Sequence, residues 1–149
     1  MKVSTRCRYA TIALFDMAYH SAESGTQVRQ IAERQEIPMR FLEQIFQDLR
    51  RAKLVSGKRG RNGGYVLAQE TKEISLLDII LATDGPFGFG HIETEGSESG
   101  EQTDIPALFW REIADDLSVL FKGYTLKDMV DRATELGVPR GAPGYMYFI

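Results

Sequence analysis

The chain has 149 residues, 43% hydrophobic and 26% charged, the proportions of an ordinary globular protein rather than a disordered or fibrous one. No apolar run approaches the roughly 18 residues that a membrane span needs, and a single cysteine excludes an intramolecular disulfide framework and fits a reducing compartment. The net charge of -3 is unevenly spread: residues 1–61 carry 12 Lys/Arg against 6 Asp/Glu, and residues 62–149 carry 6 against 15, so the N-terminal part is the one suited to a polyanion. "MKVSTRCRYA" lacks the apolar core of a signal peptide, so a cytoplasmic location is expected.

Ser4 is a good N-cap for a first helix, and "YATIALFDMA" (residues 9–18) is so apolar that this helix should be buried on most sides. "ESGTQ" breaks it. Thr26 is the expected cap of a short second helix through "VRQIAERQ", with Val28, Ile31 and Ala32 on one face. Pro38 restrains Ile37 from helical geometry and suits the first turn of a third helix, "MRFLEQIFQDLRRA". In it Leu42, Ile45, Phe46 and Leu49 recur at helical spacing and define one apolar stripe. The period then changes. "LVS" and "YVLA" are short β-prone runs flanking "GKRGRNGG", which predicts a β-hairpin with a basic tip.

Ser75 with Asp78 predicts a capping box opening "LLDIILAT", and "DGPFGFG" ends that helix. Residues 91–104 hold five acidic residues and no Lys or Arg, and are expected to form a mobile loop. Asp104 should cap a long helix in which Trp110, Ile113, Leu117 and Leu120 follow coiled-coil spacing. Thr125 with Asp128 opens a last helix that should stop near Gly137.

Three helices and a basic hairpin are the outline of a winged helix-turn-helix, a mainly α fold with a small β wing. With the apolar stripe of the third helix buried, Arg40, Glu43, Gln44 and Arg51 fall on or near its opposite side. Arg can pair with guanine, Gln with adenine, and Glu can accept from a cytosine amine. A solvated helix face explains these residues equally well, and the hairpin breaks the tie. A solvated tip explains the glycines, but not Lys58, Arg59 and Arg61 set among them, where the backbone can approach a phosphate or the minor-groove floor. Arg59 is expected to reach deepest. No nucleophile with a base and no carboxylate pair in a pocket is visible, so the chain is expected not to be an enzyme.

"MKVSTRCRYA", "FLEQIFQDLRRAKLVSGKRGRNGGYVLA", "ISLLDIILATDG" and "LFWREIADDL…YTLKDMV" together resemble the Rrf-two family of bacterial transcriptional regulators, from residue 1 to about residue 132. The resemblance implies a cytoplasmic homodimer on double-stranded operator DNA, acting as a repressor. Together with the elements read above, four regions are expected: a DNA-binding domain over 1–84, an acidic loop over 85–104, dimerisation helices over 105–136 and a tail over 137–149. DNA contacts are expected from Arg6, Met39, Arg40, Glu43, Gln44, Arg51, Lys58, Arg59 and Arg61, and dimer contacts from Trp110, Ile113, Leu117, Leu120 and Phe121.

Cluster-bearing members of that family place three cysteines ahead of the long helix, where this chain has none. No conventional iron–sulfur cluster is therefore expected. The alternative is an atypical site of Cys7, His91 and a loop carboxylate, against a reading of Cys7 as a small residue packed under the first helix. The ending Tyr147-Phe148-Ile149 resembles the C-termini with which serine acetyltransferases enter cysteine synthase, a known partner of cysteine-metabolism repressors in the family. Cysteine synthase is thus an expected partner of the tail, with self-packing as the alternative.

Overall fold

The computed structural model describes residues 3–20, 25–60, 63–87 and 105–140. Six helices and one hairpin follow in the order α1 (Thr5–His20), α2 (Val28–Gln35), α3 (Met39–Arg51), β1 (Val55–Lys58), β2 (Gly64–Leu67), α4 (Leu76–Thr83), α5 (Ile105–Lys122) and α6 (Leu126–Glu135). The expected acidic loop (residues 91–104), Arg61, His91, the Asp104 cap and the tail residues Tyr147, Phe148 and Ile149 lie outside the described residues.

Helix α1 is the spine. It buries ten of its residues, Cys7, Ala10–Met17 and Tyr19, which is what its nearly unbroken apolar sequence demands. Its N-terminus is capped by Ser4, whose Oγ accepts from the Cys7 N–H at 3.0 Å. One buried position is charged. Asp16 is fully buried and accepts from Arg34 Nε at 3.1 Å, Arg34 Nη2 at 2.5 Å and Gln35 Nε2 at 2.9 Å, so the end of α2 is tied to α1. A buried carboxylate needs such partners, because leaving it unpaired costs several kcal/mol (about 3–5).

The α2–α3 turn is made by Glu36 in the left-handed conformation (φ 50°), buried Ile37, and Pro38 immediately before α3. All four residues of the α3 stripe, Leu42, Ile45, Phe46 and Leu49, are buried. The capping boxes at Ser75–Asp78 and Thr125–Asp128 form as expected, and Gly137 follows α6 with φ 68°. Helix α6 belongs to the same core: Leu126 and Ala133 are buried, and the Leu126 N–H donates to the Ile74 carbonyl at 2.8 Å.

One expected cap is different. Thr26 does not cap α2; Gln27 does, its N–H donating to Gln30 Oε1 at 3.1 Å. Thr26 instead pairs with Tyr65 of β2, and the two exchange backbone hydrogen bonds of 2.8 Å each. A preference for capping is local, and a long-range backbone pairing overrides it.

Candidate nucleic-acid interface

With one side of α3 in the core, the other is wholly solvent-facing. Arg40, Gln44, Gln47 and Arg51 succeed one another at helical spacing and all are exposed. Glu43 and Arg50 are exposed on one flank of this stripe. On the other flank, Phe41 meets Tyr9 of α1 edge-on, with ring centroids 5.6 Å apart, and Asp48 pairs with Arg6. Met39 is 45% exposed at the helix start, the end that usually enters a major groove. The structure thus brings Met39, Arg40, Gln44 and Arg51 to one accessible face. It adds Gln47, which the same spacing counted from Arg40 predicts and the sequence reading omitted.

The wing is a two-stranded antiparallel hairpin, with Val55 opposite Leu67 and Lys58 opposite Gly64. Its strands run later on the first side and earlier on the second than the β-prone runs, because Gly57 and Gly64 pair despite their low strand propensity. Lys58 and Arg59 are exposed at its end. Gly60 (φ 110°) turns the chain, and its carbonyl accepts from the Gly63 N–H at 2.9 Å. Gly64 (φ 146°) lies so near Thr26 that a Cβ there would sit 2.4 Å from the Thr26 carbonyl oxygen. The hairpin is anchored twice through Tyr65 of β2: its backbone pairs with Thr26, two residues before α2, and its ring centroid lies 4.7 Å from that of Phe46 of α3. Arg59 and the α3 stripe are therefore carried on one scaffold rather than on independent loops.

The C-terminal helices present a different surface. Helix α5 buries none of its 18 residues. Trp110 is 48% and Leu120 52% exposed, Ile113 and Leu117 are half-buried, and Phe121 stacks on Phe87 with centroids 5.5 Å apart. Ile105, Phe109 and Val119 add more exposed apolar surface than the coiled-coil spacing predicted. Between α1 and α6 lies an apolar groove of about 310 Å³, lined by Ile12, Phe15, Met129, Ala133, Leu136 and Val138 among others.

Cys7, the only cysteine, is itself a residue of the first turn of α1 and is buried there. Burial pushes its thiol pKa up, and the nearby Asp84 charge adds to this, against hydrogen bonding to Thr83 and Thr11. Among the described residues no three His, Cys, Asp or Glu side chains converge into a metal site, and no helix is long and apolar enough to cross a membrane.

Residues 3–132 match the Rrf2 family profile, described as "Iron-dependent Transcriptional regulator". The HTH-type transcriptional regulator IscR of Photorhabdus laumondii is 34% identical over 139 residues, covering 93% of this chain and 84% of its own. Among solved structures, T. potens IscR superimposes with a TM-score of 0.73 at 33% identity, covering 95% of this chain and 94% of that one. CymR, the global cysteine regulator of B. subtilis, superimposes with a TM-score of 0.67 at 32% identity, covering 89% and 98%.

Proposed function

Since the chain belongs to the Rrf2 (Rrf-two) family and is a DNA-binding transcriptional regulator rather than an enzyme, we propose that it acts as a homodimeric repressor on a near-palindromic operator. In this reading α3 enters the major groove, with Arg40, Glu43, Gln44 and Gln47 at base edges, while Arg6, Arg51 and Lys58 meet phosphates. Arg59 and Arg61 enter the adjacent minor groove from the wing. The observation that carries it is the accessible polar stripe of α3 held on the same scaffold as Arg59. Dimerisation through α5 is supported by that helix's lack of any buried residue, and the α1/α6 groove can receive apolar side chains of a second copy. The test is stoichiometry and salt dependence: two chains per operator duplex, with log Kd rising with log salt by roughly 0.9 per phosphate contact. Binding as a monomer, or with no salt dependence, overturns it.

A reading without a conventional iron–sulfur cluster is supported by the donor set, since such a cluster calls for several thiolates and this chain has one cysteine, buried and with its thiol pKa raised. The proposed regulator works without a conventional cluster, and the Cys7–His91 site remains its alternative. For the signal, we propose cysteine synthase acting at Tyr147–Ile149. This rests on the resemblance of that segment to serine acetyltransferase ends, and is supported by the likeness to a cysteine regulator.

A further inference from the structure

Two cations assigned above to the DNA backbone are already engaged by one carboxylate of the same chain. Arg6, in the first turn of α1, donates through Nη2 to Asp48 Oδ2. Arg51, the last residue of α3, donates through Nη1 to Asp48 Oδ1 at 3.2 Å. Each carboxylate oxygen thus holds one guanidinium, as the two non-bridging oxygens of a phosphodiester can. The exposures run in the order such an arrangement needs. The Asp48 side chain is 11% exposed, set back in the α1/α3 junction, whereas those of Arg6 and Arg51 are 41% and 78% exposed. Arg6 is also incompletely satisfied, since its Nε is buried with no hydrogen-bond partner among the described residues.

We propose that Asp48 is an intramolecular stand-in for a DNA phosphate. It pairs with Arg6 and Arg51 in the free protein, gives them up to the DNA backbone on binding, and so sets how strongly the chain holds DNA of any sequence. This rests on the DNA-binding reading and deepens it by naming the residue that tunes backbone affinity. The exchange is cheaper at Arg51, whose guanidinium is mostly exposed, than at Arg6, whose guanidinium is less so. The junction does not depend on the ion pairs alone, because the Tyr9–Phe41 ring contact joins α1 to α3 beside them. Asp48 reads no base, so its removal changes affinity rather than sequence preference.

The test compares wild type with Asp48→Asn and Asp48→Ala on one operator duplex and one scrambled duplex, reading Kd by fluorescence anisotropy across a salt series. Either variant should bind both duplexes severalfold more tightly at low salt. Its log–log salt slope should stay close to that of the wild type, because both guanidinia reach phosphates in either complex. In an Arg6→Gln background the gain from Asp48→Asn should shrink, because one of the two released cations is gone. Unchanged affinity in variants that keep the wild-type circular-dichroism melt overturns the proposal, as does a gain undiminished in the Arg6→Gln background, or weaker binding, which would make Asp48 only a prop for Arg6. Measuring both substitutions keeps the prediction standing should one of them unfold. A wild type that binds neither duplex would sink the DNA-binding reading itself, a separate result.

Discussion

Gly64→Ala should detach the wing while leaving the α-helical core intact. The glycine sits at φ 146°, where an L side chain is strained, and the new Cβ would lie 2.4 Å from the Thr26 carbonyl oxygen and 2.7 Å from its carbon. Both are backbone atoms, so relief requires separating the Thr26–Tyr65 pair, which exchanges two hydrogen bonds of 2.8 Å. Strain of about 1–2 kcal/mol adds to about 0.5–1.5 kcal/mol for each hydrogen bond lost. The sum is about 2–5 kcal/mol, or a fall of roughly 5–15 °C in melting temperature for a chain of this size. Gly57→Ala in the same hairpin is the control, since a Cβ there meets nothing within 4 Å, and it should melt like wild type. The readout is a thermal melt of both variants beside their operator affinity. A Gly64→Ala variant that melts like Gly57→Ala would refute the close approach of the wing to Thr26 and with it the rigid placement of Arg59.

At the other end of the chain, Leu120→Asp should leave the isolated fold unharmed, because Leu120 is 52% exposed, yet bury an unpaired carboxylate in the proposed dimer. Sedimentation should show monomers and operator affinity should drop with dimer loss; a dimeric variant displaces the interface from this face of α5. Cys7→Ala should bind DNA equally under oxic and anoxic conditions, and the wild type should show no visible cluster absorption when purified anaerobically. Because burial raises the Cys7 pKa, the native state keeps a proton that the unfolded chain releases, so wild-type stability should fall as pH climbs through and beyond the ordinary thiol range. Cys7→Ala should remove that part of the loss, and an identical alkaline profile in both would refute the burial argument. Deleting Ile149 should abolish capture of cysteine synthase with little change in melting temperature; a fall of many degrees would assign the tail to self-packing.

What the sequence made legible was encoded at short range. The α3 stripe, the turn at Pro38, the capping boxes at Ser75 and Thr125 and the stop at Gly137 each depend on residues within a few positions of one another. The glycine-rich basic turn likewise marked the hairpin, though not the strand limits. What was not legible depends on distant partners. Thr26 has the chemistry of a cap and is used as a strand partner because Tyr65 arrives from across the fold. Arg6 reads as a free cation in sequence, and only the packing of α1 against α3 brings it to Asp48. Gln47 depends on no distant partner: it is exposed one turn beyond Gln44 on the same outward face, at the helical spacing counted from Arg40. The exposed Phe109 and Val119 fall outside the register of a heptad pattern, which keeps only its own positions.

The central claim is that α3 and Arg59 together read a specific operator, and a competition between two duplexes tests it most directly. Wild type and Arg59→Ala are titrated by anisotropy against a selected operator and a scrambled duplex of equal length at one fixed salt concentration. Wild type should prefer the operator by about 10³-fold or more. Arg59→Ala should cost roughly 1–3 kcal/mol on the operator and much less on the scrambled duplex, with specificity relaxed at one position in each half-site. Equal affinity of wild type for both duplexes, or an Arg59→Ala variant with unchanged operator affinity, would contradict the account.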